Sequence, residues 1–214
     1  MKKISSTLRS LLIVTAVAVL VSLAMPAYAT FIKDPDPGGE KFYILDNNKD
    51  VNTFDGRVGN KKTGPIVDVT TSGDVNTGKG FATIKPAKHE ELTDLIFTPV
   101  GNTEFTDFSF RGKLEDYCRF TGLIDVIVTD QNGEKNTIVF TISKADAEFA
   151  RIGVVSNDGE WIKSVEIETP GKGRFKAVNQ IEFSQGEFSV PEPSTFLLLG
   201  AGLCGLWIWK LRKV

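Results

Sequence analysis

Leu123-Ile124-Asp125-Val126-Ile127-Val128-Thr129-Asp130-Gln131-Asn132-Gly133-Glu134-Lys135-Asn136-Thr137-Ile138-Val139-Phe140-Thr141-Ile142 reads as two strands joined by a turn. In the first arm Ile124, Val126 and Val128 share one face, and Asp125 and Thr129 take the other. In the second arm Ile138, Phe140 and Ile142 oppose Thr137 and Thr141. This period of two belongs to half-buried strands. Asn132-Gly133 tolerates the positive φ values of a tight hairpin.

The same grammar extends along the chain. Short β-rich stretches at 41–45, 66–70, 80–85, 94–98, 105–111, 149–156, 161–168 and 174–183 are separated by Gly, Asn, Asp and Pro. A second hairpin is expected at Ser156-Asn157-Asp158-Gly159, joining 149–155 to 161–167, with Trp161, Val165 and Ile167 on one face and Glu166 and Glu168 on the other. The one helical turn expected, 88–92, would be a connector. About ten short strands without crossover helices predict an all-β domain, an antiparallel two-sheet sandwich of jelly-roll type. An immunoglobulin-like sandwich is the alternative, and it would lack the Cys…Trp…Cys signature. The 15 Phe residues serve mainly to fill the core between the sheets.

Both ends of the 214-residue chain differ from this middle. Lys2, Lys3 and Arg9 precede an uncharged apolar run, 11–24, and Ala27-Tyr28-Ala29 supplies an A-x-A cleavage site. Residues 1–29 therefore read as a signal peptide, cut after Ala29 by signal peptidase. At the other end Pro191-Glu192-Pro193-Ser194-Thr195 leads into an uncharged run, 196–209, and a stub, 210–214, that carries Lys210, Arg212 and Lys213. As a helix, 196–209 would span about 21 Å, short of the ~30 Å hydrocarbon core, so it would have to thin the bilayer or let its ends snorkel. Trp207 and Trp209 suit the interface and the basic stub the cytoplasmic side. The tail, 191–214, resembles the PEP-CTERM tails of Gram-negative bacteria that produce exopolysaccharide. That resemblance implies recognition by an exosortase-type membrane protease and cleavage near Pro-Glu-Pro.

The domain between the ends, 30–190, holds 19 Lys+Arg against 26 Asp+Glu. An acidic balance disfavours nucleic acid as a partner. Cys118 is the only cysteine in it, so no disulfide can form within the domain, and a small buried hydrophobe is its simplest role. From Phe105-Thr106-Asp107-Phe108 to Gln180-Ile181-Glu182-Phe183, the second half resembles a recurrent sequence of PEP-CTERM surface proteins, whose domains look similar to carbohydrate-binding jelly rolls.

Chemistry is sparse. His89 is the only histidine, set among Lys88, Glu90 and Glu91, and reads as a solvated surface residue. Alone it cannot build a His-based zinc site; a Ser-His-Asp triad would have to pass through it, yet no Gly-x-Ser-x-Gly elbow is present. Glu166 and Glu168 share a strand face but read as solvated carboxylates. Asp46, Asn48 and Asp50 place oxygen side chains at alternate positions, which suits calcium, the one cofactor suggested. Val51 and Arg57 stand where an EF-hand needs Gly and Glu, so a polar turn is the plainer reading. Asp34-Pro35-Asp36-Pro37-Gly38-Gly39 reads as an extended lead-in. A glycan site would need an aromatic platform beside Asp, Asn or Arg. Trp161, Tyr117 and Tyr43 are the non-Phe aromatics outside the tail, and Trp161 follows a tight turn, although its register with Val165 and Ile167 points to the core.

The sequence thus predicts a non-enzymatic exported protein, tethered to the inner membrane and then placed at the cell surface or in the extracellular matrix. Its partner there would be extracellular polysaccharide. The alternatives are a polysaccharide-active enzyme on the same scaffold and a protein-binding adhesin or matrix subunit.

Overall fold

The structure, a computed structural model, describes residues 31–115, 122–142, 150–157, 159–171 and 173–185. The expected signal peptide with Ala27 and Ala29, Tyr117, Cys118, Asp158 and the tail with Pro191 to Thr195 lie outside the described residues. Thirteen strands are present: β1 (Phe31–Lys33), β2 (Glu40–Ile44), β3 (Val51–Val58), β4 (Ile66–Gly78), β5 (Gly80–Phe81), β6 (Thr83–Pro86), β7 (Asp94–Pro99), β8 (Phe105–Leu114), β9 (Gly122–Asp130), β10 (Lys135–Ile142), β11 (Ala150–Ser156), β12 (Ile162–Glu168) and β13 (Phe175–Gln185). Among the described residues there is no helix, and hence none long and apolar enough to cross a membrane. The expected turn of helix at 88–92 is instead a tight turn, with Glu90 N–H donating to the Ala87 carbonyl at 3.2 Å and His89 at a φ of 70°.

The first hairpin forms as its sequence dictates. β9 pairs antiparallel with β10, Thr129 facing Lys135 and Ile124 facing Phe140. Gly133 takes a φ of 89°, which a residue with a Cβ would adopt only under strain. The buried Asp130 organises the turn: its Oδ1 accepts from the N–H groups of Asn132 and Glu134, both at 2.8 Å. Ile124, Val126 and Val128 are fully buried, as their alternation requires.

The strands do not separate into the two sheets of the expected sandwich. All pair antiparallel in one sheet, ordered β1-β11-β8-β13-β2-β3-β4-β7-β12-β9-β10. A further bridge, Ile162 to Phe105, joins β12 to β8 and closes seven of the strands into a barrel. Long strands cause this. β13 pairs with β8, β2 and β6, and β4 pairs with β3, β6 and β7, so each bends through register shifts or changes of partner and crosses what would have been the gap between sheets.

The second expected hairpin is also corrected. β11 pairs with β8 and β1, whereas β12 pairs with β7, β9 and β8. The chain turns a corner after Ser156 because Trp161 N–H donates to Gln131 Oε1 at 2.9 Å, which draws it to the β9–β10 turn. The buried Glu160 accepts from Ser156 Oγ at 2.8 Å in the same corner.

Two strands have no counterpart among the expected stretches. β1 is three residues long. β3 contains Asp55-Gly56, a turn-like dipeptide, yet its core positions are Phe54, Gly56 and Val58. A Cβ at Gly56 would lie 2.4 Å from Phe42 Cζ, so the glycine is the notch that receives that ring. The Phe42 ring in turn meets Phe97 and Phe183 at centroid separations of 6.3 and 6.2 Å. Phe105 and Phe108 complete the cluster, with centroids 4.8 and 5.1 Å from that of Phe183. Among the described residues most phenylalanines are core, as expected; Phe81 and Phe140 are only half-buried.

Candidate functional site

β2 alternates Phe42 and Ile44 inward with Lys41 and Tyr43 outward. Tyr43 is paired with Phe81 of β5 on one side and with Arg57 of β3 on the other. Side chains directly opposite in adjacent strands meet, and here the two rings sit 6.4 Å apart, tilted by 51°. Both are half-buried on the outer face of the barrel. Lys61 Nζ lies 4.8 Å from the Tyr43 centroid and Lys41 Nζ 5.2 Å from that of Phe81. Each contact is worth about 0.5–1 kcal/mol at an exposed site. Arg57 is fixed beside them by donating from Nη1 to the Gly64 carbonyl at 2.7 Å.

Beyond this pair the β2–β3 turn is stitched to the end of β4. Asn48 N–H donates to Thr77 Oγ1 at 3.0 Å, Thr77 N–H to the Asn48 carbonyl at 3.0 Å, and Asp50 N–H to Asn76 Oδ1 at 3.2 Å. Lys79 N–H donates to Asn47 Oδ1 at 2.6 Å, which ties the turn to the link between β4 and β5. The result is a cleft of about 480 Å³ lined by Asn47, Asn48, Lys49, Asp50, Asn76 and Thr77. Its walls are carboxamides, a hydroxyl, one carboxylate and one ammonium, groups that both donate and accept hydrogen bonds.

The expected calcium residues fall in and beside this cleft. Asn48 and Asp50 line it, while the Asp46 carbonyl accepts from Thr77 Oγ1 at 3.3 Å. Among the described residues no three His, Cys, Asp or Glu side chains converge as a metal site. Trp161 lies elsewhere, two strands away from β2 through β8 and β13. It precedes β12 and is half-buried, not core as its register with Val165 suggests. A bulge between Ile162 and Ser164 reverses the parity of β12, so Ile162 and Val165 both point inward and Trp161 is left at the corner. His89 is exposed. The Asp34–Gly39 lead-in runs across β11, β8 and β13: Asp34 N–H donates to the Gly153 carbonyl, Arg151 pairs with Asp36 at 2.6 Å and Glu182 at 2.9 Å, and Ser184 Oγ donates to the Gly38 carbonyl at 3.3 Å. Close by, burial holds the Asp107 carboxyl above its ordinary range, against hydrogen bonds from Thr106, Ser184 and the Ser156 backbone.

A second polar feature crosses β7, β12 and β9. Glu168 faces Asp94 on one neighbour and Asp125 on the other, so three carboxylates form a row. Loss of solvation raises the Glu168 carboxyl above its ordinary range, and Glu166, Asp125 and Asp94 raise it further, with Lys135 opposing. A raised carboxyl favours the folded state only while protonated. Its contribution is therefore lost as pH rises from the unfolded-state value through the folded one. Glu168→Gln should accordingly raise the melting temperature at pH 7 and leave it unchanged near pH 4, which thermal scans at the two pH values check.

The aromatic pair is absent from the sequence expectations, which assign Phe81 to the core and single out Tyr43 only as an available aromatic. The signal that could have found it is weak: Lys41-Phe42-Tyr43-Ile44 alternates, and Lys79-Gly80-Phe81 returns the chain beside it.

Residues 189–213 match the model of the PEP-CTERM protein-sorting motif. Such a tail marks an exported protein that is held at the membrane and then processed. No curated protein matches the chain. Among solved structures, a family 29 carbohydrate-binding module is similar at 14% identity and a TM-score of 0.38, over 76% of this chain and 99% of that one. Another, from Piromyces equi, is similar at 11% identity and a TM-score of 0.30, over 75% of this chain and 93% of that one. The enzymatically active domain of bacteriophage CBA120 tailspike protein 4 is similar at 12% identity and a TM-score of 0.27, over 74% of this chain and 19% of that one.

Proposed function

We propose that this exported protein is a non-enzymatic surface or matrix component that associates with extracellular polysaccharide through Tyr43, Phe81 and the adjoining asparagine-lined cleft. The observation that carries this reading is the aromatic pair itself. Two tilted rings stand on an outer sheet face beside a cleft of carboxamides and a hydroxyl. Sugars have apolar ring faces and a girdle of hydroxyls, and a platform flanked by amides answers both. In this reading the chain crosses the inner membrane, is held there by its tail until an exosortase-type protease acts, and then resides at the cell surface or in the matrix.

The test is co-sedimentation of the full-length, detergent-solubilised protein with the producing organism's own extracellular polysaccharide. Saturable binding is expected, weakened roughly tenfold or more by Tyr43→Ala combined with Phe81→Ala, in line with truncation of aromatic anchors. Binding unaffected by the double variant would remove the site. The same assay with chelator tests calcium at Asp46, Asn48 and Asp50, which loss of binding on chelation would support.

One observation favours a polysaccharide-cleaving enzyme instead: the Asp94–Glu168–Asp125 row contains a carboxyl held above its ordinary range, as a general acid requires. New reducing ends released by the wild type, but not by Glu168→Gln, would turn the assignment that way.

A further inference from the structure

The geometry points to an anionic polysaccharide, one bearing carboxylate, sulfate or phosphate groups, as the polymer this platform takes. The inference rests on the carbohydrate reading of Tyr43 and Phe81 and adds the charge of the ligand.

The domain is acidic, yet four lysines and an arginine gather about the aromatic pair, against Asp50 in the cleft and Glu182 opposite Lys41. Lys61 and Lys41 hold their ammonium groups over the Tyr43 and Phe81 rings. Arg57 stands in the row beside Tyr43, Lys49 lines the cleft, and Lys79 begins the turn into β5. Lys41, Lys49, Lys61 and Lys79 are all exposed, and none makes an ion pair with a described carboxylate. By contrast, Arg151 of β11 is shared between Asp36 of the lead-in and Glu182 of β13.

A ring with an ammonium above it offers a sugar an apolar edge and an acidic substituent a counter-charge in one place. A neutral polymer would gain from the rings alone. An acidic one would gain from both, and the second part would fade as salt screens it. Nucleic acid is the competing polyanion. It is disfavoured because the net charge of the domain is negative, which removes the long-range attraction that supplies most of the affinity for a nucleic-acid strand.

The experiment compares polygalacturonate with its fully methyl-esterified form, which share a backbone and differ in charge, using the full-length protein in detergent at low salt. Polygalacturonate should bind about tenfold more tightly, the sum of two exposed charge contacts. Lys41→Gln combined with Lys61→Gln should abolish that difference, and Lys163→Gln on β12 should leave it unchanged. Equal binding of acid and ester would overturn the inference and leave the carbohydrate reading standing. So would a preference that survives the double lysine variant. Polyuridylate binding as tight as polygalacturonate would also overturn it, as charge without sugar recognition. Binding of neither polymer form would overturn the inference, and binding indifferent to Tyr43→Ala with Phe81→Ala would remove both.

Discussion

Phe183→Ala is expected to destabilise the domain by about 3–5 kcal/mol, enough to leave a domain of ordinary stability largely unfolded at 37 °C. Phe183 is fully buried, and its ring contacts Phe42, Phe97, Phe105 and Phe108 at centroid separations of 6.2, 6.2, 4.8 and 5.1 Å. These four rings come from β2, β7 and β8, strands that lie on different arcs of the barrel. Removing the ring leaves a cavity whose walls belong to several strands, and the hydrogen-bonded ladder on each side limits their collapse. The cost should therefore fall at the high end for an aromatic truncation. Phe183→Leu, which refills most of the volume, should recover more than half of the loss. Urea unfolding of wild type and both variants checks this; a midpoint for Phe183→Ala within error of wild type would show that the cluster does not hold the barrel together.

The second large effect concerns the sorting tail. Replacing Pro191-Glu192-Pro193 by three alanines should reduce the processed form to background, with the full-length chain accumulating in the membrane fraction. Each proline fixes φ and removes an N–H, and Glu192, which precedes Pro193, is pushed to extended backbone. If the apolar run at 196–209 is helical, as its sequence suggests, the two prolines oppose extension of that helix upstream. Alanine, the strongest helix former, would lift that opposition. Glu192→Ala alone retains both prolines and separates backbone shape from side-chain recognition. Immunoblots of membrane and released fractions read the outcome, and normal processing of the triple variant would mean the motif acts through something other than its extended backbone.

Strand positions are legible in this sequence because alternation is local: Ile124, Val126 and Val128 declare their face without reference to anything distant. Partnership is not legible, because it is decided across the chain. The turn after Ser156 has good hairpin residues, yet the Gln131 side chain captures the Trp161 N–H from 30 positions away and sends β12 to β9. The same bulge that admits Ile162 to the core removes Trp161 from it, so extrapolating the parity of Val165 and Ile167 backward gives the wrong face. β3 hides because a core position filled by glycine looks like a turn until Phe42 is seen to occupy it. The aromatic platform hides for a related reason: Phe81 sits on a two-residue strand, too short to show any period.

The last strand has a consequence for timing. β13 is paired with β8, β2 and β6, so it sits in the middle of the sheet order. A chain that crosses a membrane amino terminus first exposes β2, β6 and β8 long before their common partner arrives. The barrel cannot seal until Gln185 has emerged. Only ten residues then separate it from the apolar run at Phe196, about 35 Å of fully extended chain. On the proposed route of export, completion of the domain and arrest of the tail are then nearly one event, and a protease acting at the tail would meet a substrate whose folding has just become possible.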